Sequence, residues 1–192
     1  MDKSIFAMEL CFALLPGSSL GAGIRHAITS HPERAAADER SRFYRYVTDL
    51  LLHHLTLADR GCWDYFDDPS RTERDYQGWS EMLTTQQGLR KGPSQSTDAP
   101  TSSPRYLTFT MAMLLVNGAP TDRALAGVCD VEESDLWRRS TFARILRGVQ
   151  AMSFASVVSD VAYLVPGDAT WGFTAEDLAQ PKFQYLRKVI DG

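Results

Sequence analysis

Between residues 16 and 23 the chain reads Pro-Gly-Ser-Ser-Leu-Gly-Ala-Gly, with Arg25 two positions further on. Backbone N–H groups in such a turn, ahead of a helix, can cradle a phosphate, and Arg25 would add positive charge. Gly17, Ser18, Ser19, Gly21, Gly23 and Arg25 are therefore the candidate anion ligands. The run lacks both the G-x-G-x-x-G pattern and the Lys-Ser/Thr ending of a P-loop, so a turn followed by close helix packing competes with that reading. Glu9 and Asp160 stand inside otherwise apolar runs. A carboxylate there must be paired, face outward or keep its proton, and two such groups on neighbouring strands would make an acid–base pair. His26, His31, His53 and His54 lack the H-E-x-x-H spacing, and adjacent histidines on a helix point about 100° apart. No metal site is expected, and His54, on an apolar stripe, reads as a core histidine.

Asp64, Asp67 and Asp68 alternate with Trp63, Tyr65 and Phe66 without the glycine and closing glutamate of a calcium loop, which leaves a solvated turn. Cys11, Cys62 and Cys129 are odd in number and have no C-x-x-C spacing, so three free thiols are expected rather than a disulfide framework. Neither a nucleophile elbow nor a kinase signature is present. No catalytic residue and no cofactor follow from these patterns.

The 192 residues are 44% hydrophobic and 23% charged, enough for a single domain with its own core. Twenty basic against 24 acidic residues leave a net charge of −4, which speaks against a nucleic-acid or anionic-membrane surface. No apolar run approaches the ~20 residues needed to span a bilayer. Near the N-terminus, Asp2 and Glu9 frame the apolar stretch where a signal peptide would want bases, so a cytoplasmic chain is expected.

The elements that must position these groups follow from periodicity. Residues 5–15 alternate, with Phe6, Met8, Leu10, Phe12 and Leu14 on one face, and read as a strand stopped by Pro16-Gly17. Ser18 or Ser19 caps a short helix to about Ile28. From 37 to 59 neither Gly nor Pro occurs and Phe43, Val47, Leu50, Leu51 and His54 recur at helical spacing, with Gly61 as the stop. Residues 62–66 read as extended, with Trp63 and Tyr65 expected to split into one buried and one exposed ring. Ser70 with Glu73 then opens a helix carrying Tyr76, Trp79, Met82 and Leu83. Residues 91–104 are small, polar and proline-rich, the composition of a flexible loop. Strands are expected at 105–116 and 157–165, with Asn117-Gly118 as a turn and a helix at 133–149 between them. That helix implies a right-handed crossover and parallel neighbours. Thr174 with Asp177 starts one turn, and 181–190 reads as a terminal helix. No internal repeat is visible. The fold class is α+β: one domain, with a small mixed sheet of three to four strands covered by helices.

Several segments together carry a resemblance. They are Ala13-Leu14-Leu15 closing the first strand, Cys62-Trp63-Asp64-Tyr65 after the long helix, and Tyr106-Leu107-Thr108-Phe109-Thr110. Val161 to Asp168 and Thr174-Ala175-Glu176-Asp177-Leu178 complete the set. In order and spacing the chain resembles the uncharacterised domain family typified by the plastid fluctuating-light-acclimation protein, which has cyanobacterial and other bacterial relatives. The resemblance implies a bacterial α+β domain and transfers no activity, cofactor or catalytic residue. The membrane segment of the photosynthetic members has no counterpart here.

Two functions remain in view. The first is a non-enzymatic protein–protein interaction or regulatory module, binding another protein or itself, with Trp63 and Tyr65 as apolar anchors in the acidic rim of Asp64, Asp67 and Asp68. The second is a small-molecule or phosphate binder, or an enzyme, using the Gly17–Gly23 loop.

Overall fold

Alternation of large apolar side chains over two twelve-residue segments makes the two central strands. The computed structural model describes residues 2–15, 17–31, 35–88, 105–167 and 172–191, with the backbone alone at 69 and 81–88; the loop expected at 91–104 lies outside the described residues. Strands β1 (Lys3–Leu14), β2 (Ala58–Phe66), β3 (Arg105–Val116), β4 (Val157–Val165) and β5 (Arg187–Lys188) form one sheet in the order β4-β3-β1-β2-β5. Every pairing is antiparallel. The sheet thus has five strands, not three to four, and is not mixed.

The parallel crossover between β3 and β4 fails for a topological reason. Two helices, α4 (Pro120–Cys129) and α5 (Arg139–Ala151), fold back on each other between these strands and return the chain to the end it left. A single crossing helix would have delivered it to the opposite end. Helices α1 (Leu20–Ser30) and α2 (Ala37–His53) do the same between β1 and β2.

The molecule is therefore built from two units of similar backbone, without a repeat in the sequence. Each is a twelve-residue strand, two helices, a 3-10 turn and a nine-residue strand. Ile5 opposite Phe66 has its counterpart in Thr108 opposite Val165. Asp59 bulges out between the Cys11–Arg60 and Phe12–Ala58 pairs, as Val158 does between Leu114–Ser159 and Leu115–Val157. β1 and β3 meet at the centre with Met8 opposite Met111, α1 packs on β4, and α4 packs on β2. This is a pseudo-twofold arrangement, and side-chain identity is too low for it to be read from sequence.

The four helices cover one face, where Phe6, Met8, Leu10, Phe12, Leu107, Phe109, Met111 and Met113 meet Tyr44, Val47, Leu51, Phe142, Ile145 and Leu146. Helix α3 (Pro69–Gly88) and the C-terminal segment cover the other, over Cys11, Cys62, Tyr163 and Val165. In that segment, the one-turn helix α6 (Ala175–Leu178) has the expected Thr174–Asp177 capping box. Residues 181–190, however, form a 3-10 turn and β5 in place of a helix, because Pro181 and the open edge of β2 draw the backbone into extended pairing.

Three further boundaries move. Gly61 lies inside β2, where a Cβ would come within 2.9 Å of both Leu10 and Phe142, so it serves close packing and not helix termination. Helix α2 stops at His53, with His54 as its half-buried C-cap instead of a core histidine. Asp68, not Ser70, caps α3: its carboxylate accepts the Ser70 N–H at 2.9 Å. Glu73 turns instead to Lys3.

Candidate functional site

The glycine turn, the first candidate from sequence, is packed rather than open. Gly17 has φ +80° and makes the turn. A Cβ on Gly21 would lie 3.1 Å from Leu107 and 3.0 Å from the Arg25 guanidinium, and one on Gly23 would lie 2.9 Å from Leu50. Both glycines let α1 approach its neighbours closely. Ser18 Oγ accepts the Leu20 N–H at 3.4 Å, and Ser19 is the N-cap without a side-chain bond.

Trp63 and Tyr65 share the helix-covered face, since residues two apart on a strand point the same way. They do not split into one buried and one exposed ring; both are half-buried. Trp63 Nε1 donates to the Leu136 carbonyl at 2.9 Å and the Tyr65 hydroxyl to Asp122 at 2.7 Å. Asp64, Asp67 and Asp68 are exposed beside them.

Glu9 and Asp160 are not a pair. β3 separates their strands, Glu9 facing Thr110 and Asp160 facing Met113, and the two carboxylates lie on opposite faces of the sheet. Glu9 is fully buried beneath the C-terminal segment. Its Oε2 accepts from the Tyr185 hydroxyl at 3.1 Å, while Oε1 and the hydroxyls of Thr108 and Thr110 lack hydrogen-bonding partners. Burial raises its pKa from 4.5 to about 7, and the hydrogen bond from Tyr185 pulls the other way. Burial also pushes up the Cys11, Cys62, Tyr163 and Tyr185 groups around it, and the charge of Glu9 adds to each shift. Because the folded state holds this proton more tightly than the unfolded chain, the contribution of Glu9 to stability is full below pH 4.5 and is lost as pH rises through 7. The loss attributable to Glu9 amounts to about 3 kcal/mol. Urea unfolding from pH 5 to 8.5 checks this, with Glu9→Gln expected to remove most of that slope.

Asp160 belongs to the second feature, a cleft of about 420 Å³ between β4 and the start of α2. The arginine Arg40 donates Nη1 to the Asp160 carboxylate at 2.9 Å and to the Val157 carbonyl at 3.2 Å. Tyr44, fully buried and stacked on Phe154 at 4.9 Å, donates its hydroxyl to the other Asp160 oxygen at 3.0 Å. Asp160 is therefore neutralised and held, but the buried Arg40 Nε has no partner among the described residues. His31 stacks on Phe43 at 4.2 Å in the same cleft, and burial lowers its pKa. Backbone positions 158–162 form one wall, and β4 carries no strand on its outer edge among the described residues. Sequence reasoning had flagged Asp160, but not Arg40 or the cleft, which join residues over a hundred positions apart.

Among the described residues no cluster of three or more His, Cys, Asp or Glu could hold a metal, and no helix is long and apolar enough to cross a membrane. The three cysteines are free thiols, Cys11 and Cys62 buried and Cys129 half-buried. Comparison with protein-family models, curated proteins and solved structures finds no match to this chain.

Proposed function

We propose that this protein is a non-enzymatic interaction module that presents the outer edge of β4 and its adjoining cleft to another protein. The observation that carries the reading is a nine-residue strand paired on one side only among the described residues, beside a cleft holding a donor that none of them satisfies. An unpaired edge offers a row of backbone N–H and C=O groups to an extended chain, and neighbouring side-chain pockets add selectivity. Val158, 49% exposed on that edge, is the apolar contact such a chain would cover. Trp63 and Tyr65, the anchors drawn from sequence, are less free to serve, with their polar atoms already bonded inside.

Peptides selected from a random display library against the full chain, then mapped by amide exchange, test this. Protection is expected at 158–163, and Val158→Lys is expected to weaken binding about tenfold by placing a charge on the edge. Selected peptides that protect a different surface, or that bind Val158→Lys unchanged, would overturn it. The cleft's volume also supports a second reading, a small-molecule binder, since ligand pockets of this size are common. A phosphate site at Gly17–Gly23 draws no such support from the packing of Gly21 and Gly23.

A further inference from the structure

We infer that the β4 cleft receives an extended segment of a partner protein patterned like this chain's own tail, an apolar residue followed two positions later by an acidic one. The inference rests on the interaction reading above and names its occupant.

The pseudo-twofold relation makes the outer edges of β2 and β4 counterparts, and among the described residues a strand fills only the first. There β5 pairs antiparallel, with Lys188 opposite Arg60 and Arg187 opposite Gly61. The Val189 N–H then bonds the Asp59 carbonyl at 3.0 Å, and its side chain enters the core. Ile190 bridges to the segment leading into α5, donating to Trp137 O at 3.0 Å and accepting from the Arg139 N–H at 2.8 Å. Asp191 then accepts from Arg139 Nε at 2.7 Å.

Much of that groove has a counterpart at β4, although the Arg40 N–H bonds the Ala36 carbonyl at the start of α2 and does not face outward as the Arg139 N–H does. Ser159 and Asp160 correspond to Arg60 and Gly61, and the bulged Val158 corresponds to Asp59. The segment leading into α2 corresponds to the one leading into α5, and Ala35 there lines the cleft. The arginines act alike as well. Arg139 Nη1 bonds the Ala58 carbonyl at 3.3 Å, and Arg40 Nη1 bonds the corresponding Val157 carbonyl at 3.2 Å. They differ in two ways: Arg40 Nη1 also pairs with Asp160, where the counterpart of Asp160 is Gly61, and Arg139 Nε has Asp191 whereas the buried Arg40 Nε has no partner among the described residues.

An incoming strand aligned like the tail crosses Ser159 and Asp160 antiparallel and sets its apolar side chain against Ile28 and Phe43. Its acidic side chain meets Arg40 Nε, which a charge-assisted hydrogen bond would satisfy.

A synthetic peptide of residues 184–191, added to the isotopically labelled full chain, is the probe. Amide shifts are expected in β4 and in residues 35–44, with binding about tenfold weaker when the peptide carries Asp191→Asn. Val158→Lys on the full chain, at an exposed position, should weaken it similarly, and Arg40→Lys should abolish the preference for the acidic peptide. Shifts centred on β2 instead would show tail displacement and overturn the assignment. Equal affinity for the acidic and amide peptides, or no binding of either, would also overturn it. Library peptides that still mapped to β4 would then leave the broader interaction reading standing. Dimerisation of the full chain, abolished by Asp191→Asn, would give the cleft to a second copy and overturn the partner assignment.

Discussion

Leu51→Ala is expected to lower the free energy of unfolding by about 3–5 kcal/mol, while Leu50→Ala costs only about 1 kcal/mol. Both residues lie on the apolar stripe that makes α2 legible, and from sequence they look interchangeable. Leu51 is fully buried in the layer shared by the sheet and α5. Truncation there removes apolar contact and leaves a cavity that rigid neighbours on three sides cannot close. Leu50 is half-buried at the rim, over Gly23 of α1, where solvent and a mobile leucine can adjust. Phe43, 9% exposed, belongs with Leu51. Urea unfolding at fixed pH, with the m-value unchanged, measures the differences. A loss below ~1 kcal/mol at Leu51 would mean that α2 does not form the centre of the helical layer.

Asp122→Ala is expected to cost about 3 kcal/mol, more than any other polar substitution outside the cleft. Asp122 is 3% exposed, in the first turn of α4, where a negative charge also suits the helix dipole. One carboxylate oxygen accepts from the Ser4 hydroxyl and from the Tyr65 hydroxyl at 2.7 Å; the other accepts the Gly118 N–H at 2.7 Å. These donors come from β1, β2 and the β3–α4 turn, in which Gly118 has φ +74°. Alanine leaves all three donors unmatched, whereas Tyr65→Phe removes a single bond and costs about 1 kcal/mol. The double variant should fall short of the sum, because both changes break the same contact. Additive losses would show that Tyr65 and Asp122 act independently and would refute this network.

Much of the architecture was legible because local physics dictates it. Period-two alternation in Ile5–Leu14 and Tyr106–Val116 makes those segments strands, even though Met111 to Leu115 would suit a helix in isolation. Helical spacing around Val47 and Leu51 locates α2, and Thr174 with Asp177 caps α6. Spacing also singled out Glu9 and Asp160 as misplaced charges, and both proved to be held in unusual surroundings.

Tertiary structure decided the rest, where the relevant distances run across the fold and not along the chain. An open strand edge at β2 drew Arg187–Lys188, within a segment of helical pattern, into a strand, since extended backbone could find partners there. Paired helices between β3 and β4 set the strand direction, which helix propensity cannot encode. The twofold relation of the two units is carried by backbone register and bulges, and many side chains satisfy the same backbone. The cleft joins Arg40 to Asp160 through 120 positions of intervening chain. Burial, hydrogen-bond vacancy and the empty edge of β4 exist only once those segments meet, because each is a property of surroundings that a residue acquires on folding.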